Sequence, residues 1–189
     1  MKHDLGHFRF LAPMYERFIQ PKAPEVILAQ LGLPQPEGAV LDAGGGTGRV
    51  AQFLVDQTNQ VVADQTFEML LEARQKQRVS AVHSNSEELP FADGYYCCVI
   101  MVDALHHVVD QAATIRELWR VLKPGGRVII EEPDFRRLSV KVLALAEKLA
   151  LMRSHFLSPP QILALFDDTG ARKRIEVDGW TAWMIIEKA

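Results

Sequence analysis

The stretch Val40-Leu41-Asp42-Ala43-Gly44-Gly45-Gly46-Thr47-Gly48-Arg49-Val50-Ala51 decides the fold of this chain. Its first residues are typical of a short buried strand, and a glycine loop follows the acid. The glycines permit a sharp backbone turn and the close approach of a ligand that a Cβ would push away. A helix is predicted from Arg49 to Asp56, and its first N–H groups would attract a carboxylate or phosphate. The stretch therefore predicts a ligand-binding loop, with a plain tight turn as the alternative.

The spacing of the glycines separates two kinds of nucleotide site. A dinucleotide site needs G-x-G-x-x-G, but the third glycine position counted from Gly44 is Arg49. Counted back from Gly48, the first glycine position is Ala43. The pattern that fits is D-x-G-x-G-x-G, from Asp42 to Gly48. A nicotinamide-dependent oxidoreductase is therefore disfavoured.

Composition limits the class of protein. The chain has 189 residues, 48% hydrophobic and 24% charged, which suits one α/β domain. A net charge of −3 gives no long-range attraction to nucleic acid. No apolar run is long enough to span a membrane, and the N-terminus lacks the pattern of a signal peptide, so a cytoplasmic location is expected. Cys97 and Cys98 are sequence neighbours on a predicted strand and are expected to be buried rather than bonded.

Strands and helices alternate along the chain. The predicted strands after the loop are Gln60–Asp64, Val79–His83, Cys97–Val102 and Arg127–Glu131. The predicted helices are Pro24–Leu31, Arg49–Asp56, Phe67–Gln77, Gln111–Leu122, Leu138–His155 and Ser158–Asp168, with Lys123-Pro124-Gly125-Gly126 as a turn after the fourth. This alternation predicts right-handed βαβ units and a doubly wound, mostly parallel sheet. Asp178-Gly179 lies between two β-rich runs and predicts a terminal antiparallel hairpin.

Asp64 ends the second predicted strand, 20 positions after Gly44. That offset is where an α/β nucleoside site places a carboxylate that accepts hydrogen bonds from both ribose hydroxyls. An aspartate before a helix is also a common cap. Ribose binding and capping are both predicted for Asp64.

Five landmarks together resemble the class I S-adenosylmethionine-dependent methyltransferases, in the group that includes the ubiquinone and menaquinone C-methyltransferases. They are the glycine loop, Asp64, Asn85 to Phe91, Ala104-Leu105-His106-His107-Val108 and Arg120-Val121-Leu122-Lys123-Pro124-Gly125-Gly126. The resemblance implies a Rossmann-like sheet of seven strands with the last antiparallel. It implies one domain over 1–189, made of a helical lid (1–36), a cofactor-binding core (37–134), a helical acceptor-side segment (135–170) and a C-terminal hairpin (171–189).

The same resemblance implies the site for S-adenosyl-L-methionine and its product S-adenosyl-L-homocysteine. Asp42 would face the methionine ammonium, Asp64 the ribose and Gln65 the adenine. Asn85 would accept a hydrogen bond from the adenine amino group, where the family usually has an aspartate, and Tyr15 would close over the cofactor. The complete set of implied cofactor-binding residues is Tyr15, Asp42, Ala43, Gly44, Gly46, Asp64, Gln65, Met69, Asn85, Ser86 and Met101.

The acceptor is expected beyond the carboxyl ends of the fourth and fifth strands. Methyl transfer demands alignment and exclusion of water, and it needs a base only when the nucleophile must lose a proton early. His106 or His107 is a candidate base, with packing as the alternative. Asp103 is a candidate contact for a cationic or hydroxylated acceptor, with helix capping as the alternative. No metal site is predicted.

The apolar N-terminal segment and the Leu138–His155 helix favour a small apolar or aromatic acceptor, although these residues could instead pack on the sheet. The predicted function is therefore methyl transfer from S-adenosylmethionine to a small molecule. The alternative is a protein that binds this cofactor without turnover. Neither nucleic acid nor stable membrane insertion is expected, and a homodimer is left open.

Overall fold

The computed structural model describes residues 24–31, 38–54, 59–142, 154–167 and 170–189. Its centre is a sheet of seven strands in the order β3-β2-β1-β4-β5-β7-β6. The strands are β1 (Ala39–Ala43), β2 (Asn59–Asp64), β3 (Val79–His83), β4 (Tyr96–Val102), β5 (Leu122–Pro133), β6 (Arg172–Asp178) and β7 (Thr181–Glu187). β1 to β5 pair in parallel, and β7 runs antiparallel to both β5 and β6. The predicted fold class is confirmed.

Helices cover both faces of the sheet. They include α1 (Pro24–Leu31), α2 (Phe67–Ala73), α3 (Gln111–Val121) and α4 (Pro159–Ala164), with short 3-10 helices at Ala51–Phe53 and Leu105–His107. Alternate residues of β4 enter two separate apolar clusters, Val99 and Met101 in one and Cys98 and Ile100 in the other. Every residue of β4 is buried, as predicted for a central parallel strand.

Two helices are shorter than the sequence predicts. The predicted helix Arg49–Asp56 is a turn followed by the 3-10 helix Ala51–Phe53, because the glycines up to Gly48 hold the chain in left-handed turns; residues 55–58 lie outside the described part. The helix predicted to reach Gln77 ends at Ala73, and Arg78 has a φ of 58°. The left-handed conformation of Arg78 directly precedes β3, which begins at Val79.

The turn predicted over residues 123–126 is instead part of β5. The strand begins at Leu122, and its register against β4 shifts between Tyr96 and Cys98. Gly125 has a φ of +73°, and a Cβ on Gly126 would lie 2.8 Å from the Cys97 carbonyl oxygen. The two glycines therefore form a bulge within the strand rather than a separate turn.

The helices after β5 also end earlier than predicted. Residues 138–142 are helical, 143–153 lie outside the described residues, and 154–158 are not helical, so the predicted helix does not reach His155. The His155 N–H donates to the His106 carbonyl instead. α4 ends at Ala164 rather than near Asp168. Directly after Ala164, the N–H groups of Leu165 and Phe166 donate to carbonyls three residues earlier, which is the tighter 3-10 pattern. The terminal hairpin at Asp178-Gly179 is confirmed.

This topology creates a crevice beyond β1 and β4. The chain continues from β1 to β2 on one side and from β4 to β5 on the other, so the connections leave the carboxyl ends of these adjacent strands in opposite directions. Within the described residues, no helix has the length and apolar character needed to cross a membrane. Tyr15, most of the predicted lid (1–36) and the apolar residues 143–153 lie outside the described part, and the predictions made for them stay predictions.

Candidate functional site

The glycine loop after β1 has the backbone geometry that its sequence predicts. Gly44, Gly46 and Gly48 have φ angles of 69°, 55° and 72°, where glycine is the favoured residue. Gly45 serves differently, because a Cβ there would lie 2.5–2.8 Å from the carboxylate atoms of Asp42. The loop therefore folds around the Asp42 side chain.

Asp42 is a buried carboxylate at the floor of the loop. It is 1% exposed, and neither carboxylate oxygen has a hydrogen-bond partner in the described part of the chain. Burial raises the pKa of this carboxyl to about 7, and the negative charge of Asp64 adds to the effect. The charge of Arg49 and the nearby Ala51 N–H lower the pKa without offsetting burial. A buried acid with unmet acceptors is suited to a cationic donor group.

Asp64 connects the glycine loop to the start of α2. Its two carboxylate oxygens accept hydrogen bonds from the Gly46 N–H at 2.9 Å and from the Thr66 N–H at 2.7 Å. Burial raises the pKa of Asp64, and both N–H groups oppose that shift. Thr66, rather than Asp64, occupies the N-cap position of α2. Asp64 thus orders the loop while its carboxylate faces the cleft.

One cleft at the carboxyl ends of β1, β2 and β4 collects most of the predicted residues. Those lining it are Asp42, Gly44, Gly46, Asp64, Gln65, Met69, Ser86, Met101, Asp103 and His107. The cleft is also lined by Gly45, Arg49, Val50, Thr66, Val102, Ala104 and Val108, which the sequence analysis did not select. All seven adjoin a predicted residue or the loop motif, so extending each motif by one or two positions would have included them.

Three predicted residues do not line the cleft. Ala43 is fully buried in the sheet, next to Asp42. Asn85 folds back on its own turn, where its Oδ1 accepts the Glu87 N–H at 3.0 Å. His106 is 3% exposed and points into the protein interior. Of the two candidate histidines, only His107 lines the cleft.

His106 is held by a buried carboxylate at the end of β5. Its Nδ1 lies 2.6 Å from Glu132 Oε2, with the two side chains 3% and 4% exposed. The other carboxylate oxygen of Glu132 accepts the Leu105 N–H at 2.7 Å. Phe156 stacks on the His106 ring at 4.4 Å between centroids. This network fixes the 3-10 helix that presents His107 to the cleft.

His107 occupies the end of the cleft nearest β4 and β5. Its ring centroid is 4.0 Å from that of His106, and its Nδ1 is 3.4 Å from the Ser154 hydroxyl. Burial, followed by the charge of His106, lowers the pKa of His107 to about 3. His107 is therefore neutral near pH 7 and can accept a hydrogen bond.

Asp103 follows β4 directly, in an uncommon backbone conformation. Its φ is 56°, in the left-handed region that aspartate tolerates better than most residues. The Asp103 N–H donates to the Glu131 carbonyl at 2.9 Å, which ties this turn to β5. The side chain is 36% exposed, and Asp103 Oδ2 lies 4.0 Å from Arg49 Nη2. Its carboxylate is therefore accessible from the cleft.

The charges of the cleft suit a nucleoside that carries positive charge. Asp42 lies beside the glycine loop, Asp64 lies at the end of β2, and Met69 and Met101 supply apolar surface. Among the residues that the structure describes, no group of three or more His, Cys, Asp or Glu side chains could hold a metal ion.

Comparison with known proteins supports the same interpretation. Residues 41–130 match the family model described as "Methyltransferase domain". The ubiquinone/menaquinone biosynthesis C-methyltransferase UbiE of Proteus mirabilis is 44% identical over 104 residues, a match that covers 49% of this chain and 41% of that protein. UbiE of Erwinia tasmaniensis is 40% identical over 114 residues, covering 53% and 45%. The chain thus matches less than half the length of these curated relatives.

Solved structures extend the likeness to the whole fold. A SAM-dependent methyltransferase from Thermotoga maritima superposes with a TM-score of 0.81 at 21% identity, covering 99% of this chain and 100% of that one. A SAM-dependent methyltransferase from Aquifex aeolicus gives a TM-score of 0.72 at 20% identity, with both chains fully covered. At these identities the likeness concerns the fold.

Proposed function

We infer that this chain, whose residues 41–130 match the methyltransferase-domain family model, transfers a methyl group from S-adenosylmethionine to a small acceptor. The observation that carries this proposal is Asp42, a buried carboxylate with unmet acceptors beneath a loop of glycines. A second carboxylate, Asp64, lines the same cleft at the end of the neighbouring strand. The ammonium of the cofactor supplies the donors that Asp42 lacks, and its ribose hydroxyls donate to the lone pairs of Asp64 that the Gly46 and Thr66 N–H groups leave available.

Different residues of the cleft are assigned to different parts of the cofactor. We assign the methionine moiety to Asp42, Gly44 and Gly46, where the absence of side chains lets the backbone approach it. Asp64 accepts hydrogen bonds from the ribose, and Gln65, Met69, Ser86 and Met101 surround the nucleoside. Asn85 reaches the adenine only if its side chain leaves the Glu87 N–H. Ala43 contributes through its backbone, and Tyr15 stays a prediction outside the described residues.

The chain's own contribution to the reaction is positioning. A sulfonium donor supplies an activated methyl group for in-line displacement, so alignment and exclusion of water are the enzyme's main tasks. The expected acceptor end of the cleft is lined by the apolar residues Val102, Ala104 and Val108, together with His107. This lining favours a small apolar or aromatic acceptor.

His107 is the group best placed to orient that acceptor. Because its pKa lies near 3, it is a weak base at neutral pH, and we assign it hydrogen-bond acceptance from an O–H or N–H rather than storage of a proton. His106 acts only through the position of His107, since its Nδ1 is engaged by Glu132. Asp103 contacts the polar part of the acceptor.

The test is transfer of a labelled methyl group from S-adenosylmethionine to a panel of phenols, quinols and amines. We expect His107→Ala to lower kcat by about tenfold or more with unchanged affinity for S-adenosylhomocysteine, because one orienting hydrogen bond is lost. Full turnover in both His107→Ala and His106→Ala would refute the role of the histidines. Tight cofactor binding without transfer to any acceptor would instead favour a binding protein without turnover.

Gly45 offers a test of the loop without removal of a functional group. In Gly45→Ala, the new Cβ would force the Asp42 carboxylate out of its position, since the two would be 2.5–2.8 Å apart. We expect affinity for S-adenosylhomocysteine, measured by calorimetry, to fall by about tenfold or more. Gly179→Asn is the control, because this glycine lies in the terminal hairpin, has nothing within 4 Å of an added Cβ, and has a φ of +60° that asparagine tolerates better than alanine. Wild-type affinity in Gly45→Ala would show that the position of Asp42 is not required.

The pKa of Asp42 predicts how binding depends on pH. In the folded, unliganded protein the pKa of Asp42 is about 7, whereas that of an exposed aspartate is 3.8. The folded state therefore holds this proton more tightly than the unfolded state, and the free energy of unfolding falls as the pH rises through 7. A bound ammonium favours the ionised form. Affinity for S-adenosylhomocysteine should therefore rise about tenfold between pH 5.5 and pH 7.0. The same titration of Asp42→Asn should lack this dependence, and a flat wild-type profile would contradict the assignment.

A further inference from the structure

Arg49 is a buried cation in the wall of the cleft. Its side chain is 9% exposed, and it is the one Lys or Arg among the cleft-lining residues of the described chain. Three carboxylates line the same cleft, those of Asp42, Asp64 and Asp103. Arginine rather than lysine at such a position suits bidentate recognition of a planar anion.

Arg49 lies between two of these acids. Its Nη2 is 4.0 Å from Asp103 Oδ2, the outer limit of an ion pair. Its charge is also the largest influence that lowers the pKa of Asp42. The guanidinium is therefore near the methionine end of the cleft, and its contact with Asp103 is loose.

The charges of the cofactor can be matched to these groups. S-adenosylmethionine carries a sulfonium, an ammonium and a single carboxylate. The proposed function assigns the ammonium to Asp42, which leaves the carboxylate without a charged partner. Arg49 is the cleft-lining cation of the described residues, because His107 is neutral.

We propose that Arg49 binds the carboxylate of the methionine moiety and that, in the unliganded protein, Asp103 holds the same guanidinium. This assignment rests on the proposed function and deepens it. Binding of the cofactor then withdraws Arg49 from Asp103 and leaves the Asp103 carboxylate for the methyl acceptor. Cofactor binding would in this way prepare the acceptor end of the cleft.

The test compares two ligands that differ in one group. S-adenosylhomocysteine and its decarboxylated analogue, which keeps the ammonium, are titrated calorimetrically into the wild type and variants. Removal of the Arg49 charge also raises the pKa of Asp42, which affects both ligands alike, so Arg49→Gln should weaken binding of S-adenosylhomocysteine by about tenfold or more beyond any loss for the analogue. The affinity of Arg49→Lys for S-adenosylhomocysteine should lie between those of the wild type and Arg49→Gln. Asp42→Asn is the matched control and should weaken both ligands alike.

Asp103→Asn tests the second half of the proposal. Since it releases Arg49, it should tighten binding of S-adenosylhomocysteine by about threefold, an effect that a purely structural Asp103 would not produce. Unchanged or weaker binding of S-adenosylhomocysteine to Asp103→Asn refutes the proposal that Asp103 competes with the cofactor carboxylate for Arg49.

Equal losses for both ligands in Arg49→Gln, or no loss, overturn the assignment of Arg49. Failure of the wild type to bind S-adenosylhomocysteine is a separate result, which refutes the proposed function itself.

Discussion

Asp42→Asn is expected to weaken binding of S-adenosylmethionine strongly while making the unliganded protein more stable at pH 8. The variant keeps one amide oxygen but loses the negative charge and the second oxygen that would accept from the ammonium, so we expect affinity to fall by about 100-fold. The free energy of unfolding should rise by about 1–3 kcal/mol, because a buried carboxylate with a pKa near 7 is ionised at pH 8 in the wild type. Calorimetric titration and denaturant unfolding measure the two effects.

The control for Asp42 is an exposed aspartate. Asp93 is 81% exposed, so Asp93→Asn should change neither cofactor affinity nor stability by more than a small amount. Two results would contradict the account of Asp42. One is retention of wild-type affinity in Asp42→Asn, and the other is a loss of stability at pH 8.

Glu132→Ala is expected to cause the largest loss of stability. The substitution leaves His106 and the Leu105 N–H buried without the carboxylate that both contact at 2.6–2.7 Å. A buried hydrogen-bonding group left without its partner typically costs about 1–3 kcal/mol, and this substitution leaves two such groups. The 3-10 helix that presents His107 depends on this carboxylate, so turnover should fall as well. Urea unfolding measures the first effect and methyl transfer the second.

One further variant separates the charge of Glu132 from its shape, and another serves as a surface control. Glu132→Gln keeps one carbonyl oxygen as an acceptor and should lose less stability than Glu132→Ala. Asp93→Ala removes an exposed partner of Arg120, 2.6 Å away, and should cost less than about 1 kcal/mol. If Glu132→Ala proves as mild as Asp93→Ala, the buried pair with His106 is not a structural element.

The sheet could be predicted from the sequence because its signals are local. The fourth strand is an unbroken apolar run, and every residue of Tyr96–Val102 is buried. Asp178-Gly179 is a hairpin signal, and the strands on either side pair as expected. Helix ends were less predictable because they depend on tertiary demands. The bulge at Gly125-Gly126, for example, exists because Gly126 packs against the carbonyl of Cys97 on the next strand.

In the candidate site, too, some residues could be predicted from the sequence and some contacts could not. Asp42 and Asp64 could be selected because each stands at a strand end within a recognisable pattern, and both line the cleft. The pairing of His106 with Glu132 could not be predicted, because the two residues are 26 positions apart in the sequence. Only the parallel pairing of β4 and β5 brings the carboxyl ends of these strands, and hence the two residues, together. The contact of Arg49 with Asp103 likewise joins the glycine loop to the end of β4. Side-chain pairs between distant segments require the fold to be known first.

The most direct test of the central claim is calorimetric titration of the purified protein with S-adenosylmethionine, S-adenosylhomocysteine and NAD, repeated on Asp64→Ala. We expect micromolar binding of the two sulfur nucleosides, no binding of NAD, and a loss of about tenfold or more in the variant. Absence of binding by both sulfur nucleosides, or tighter binding of NAD, would contradict the central claim.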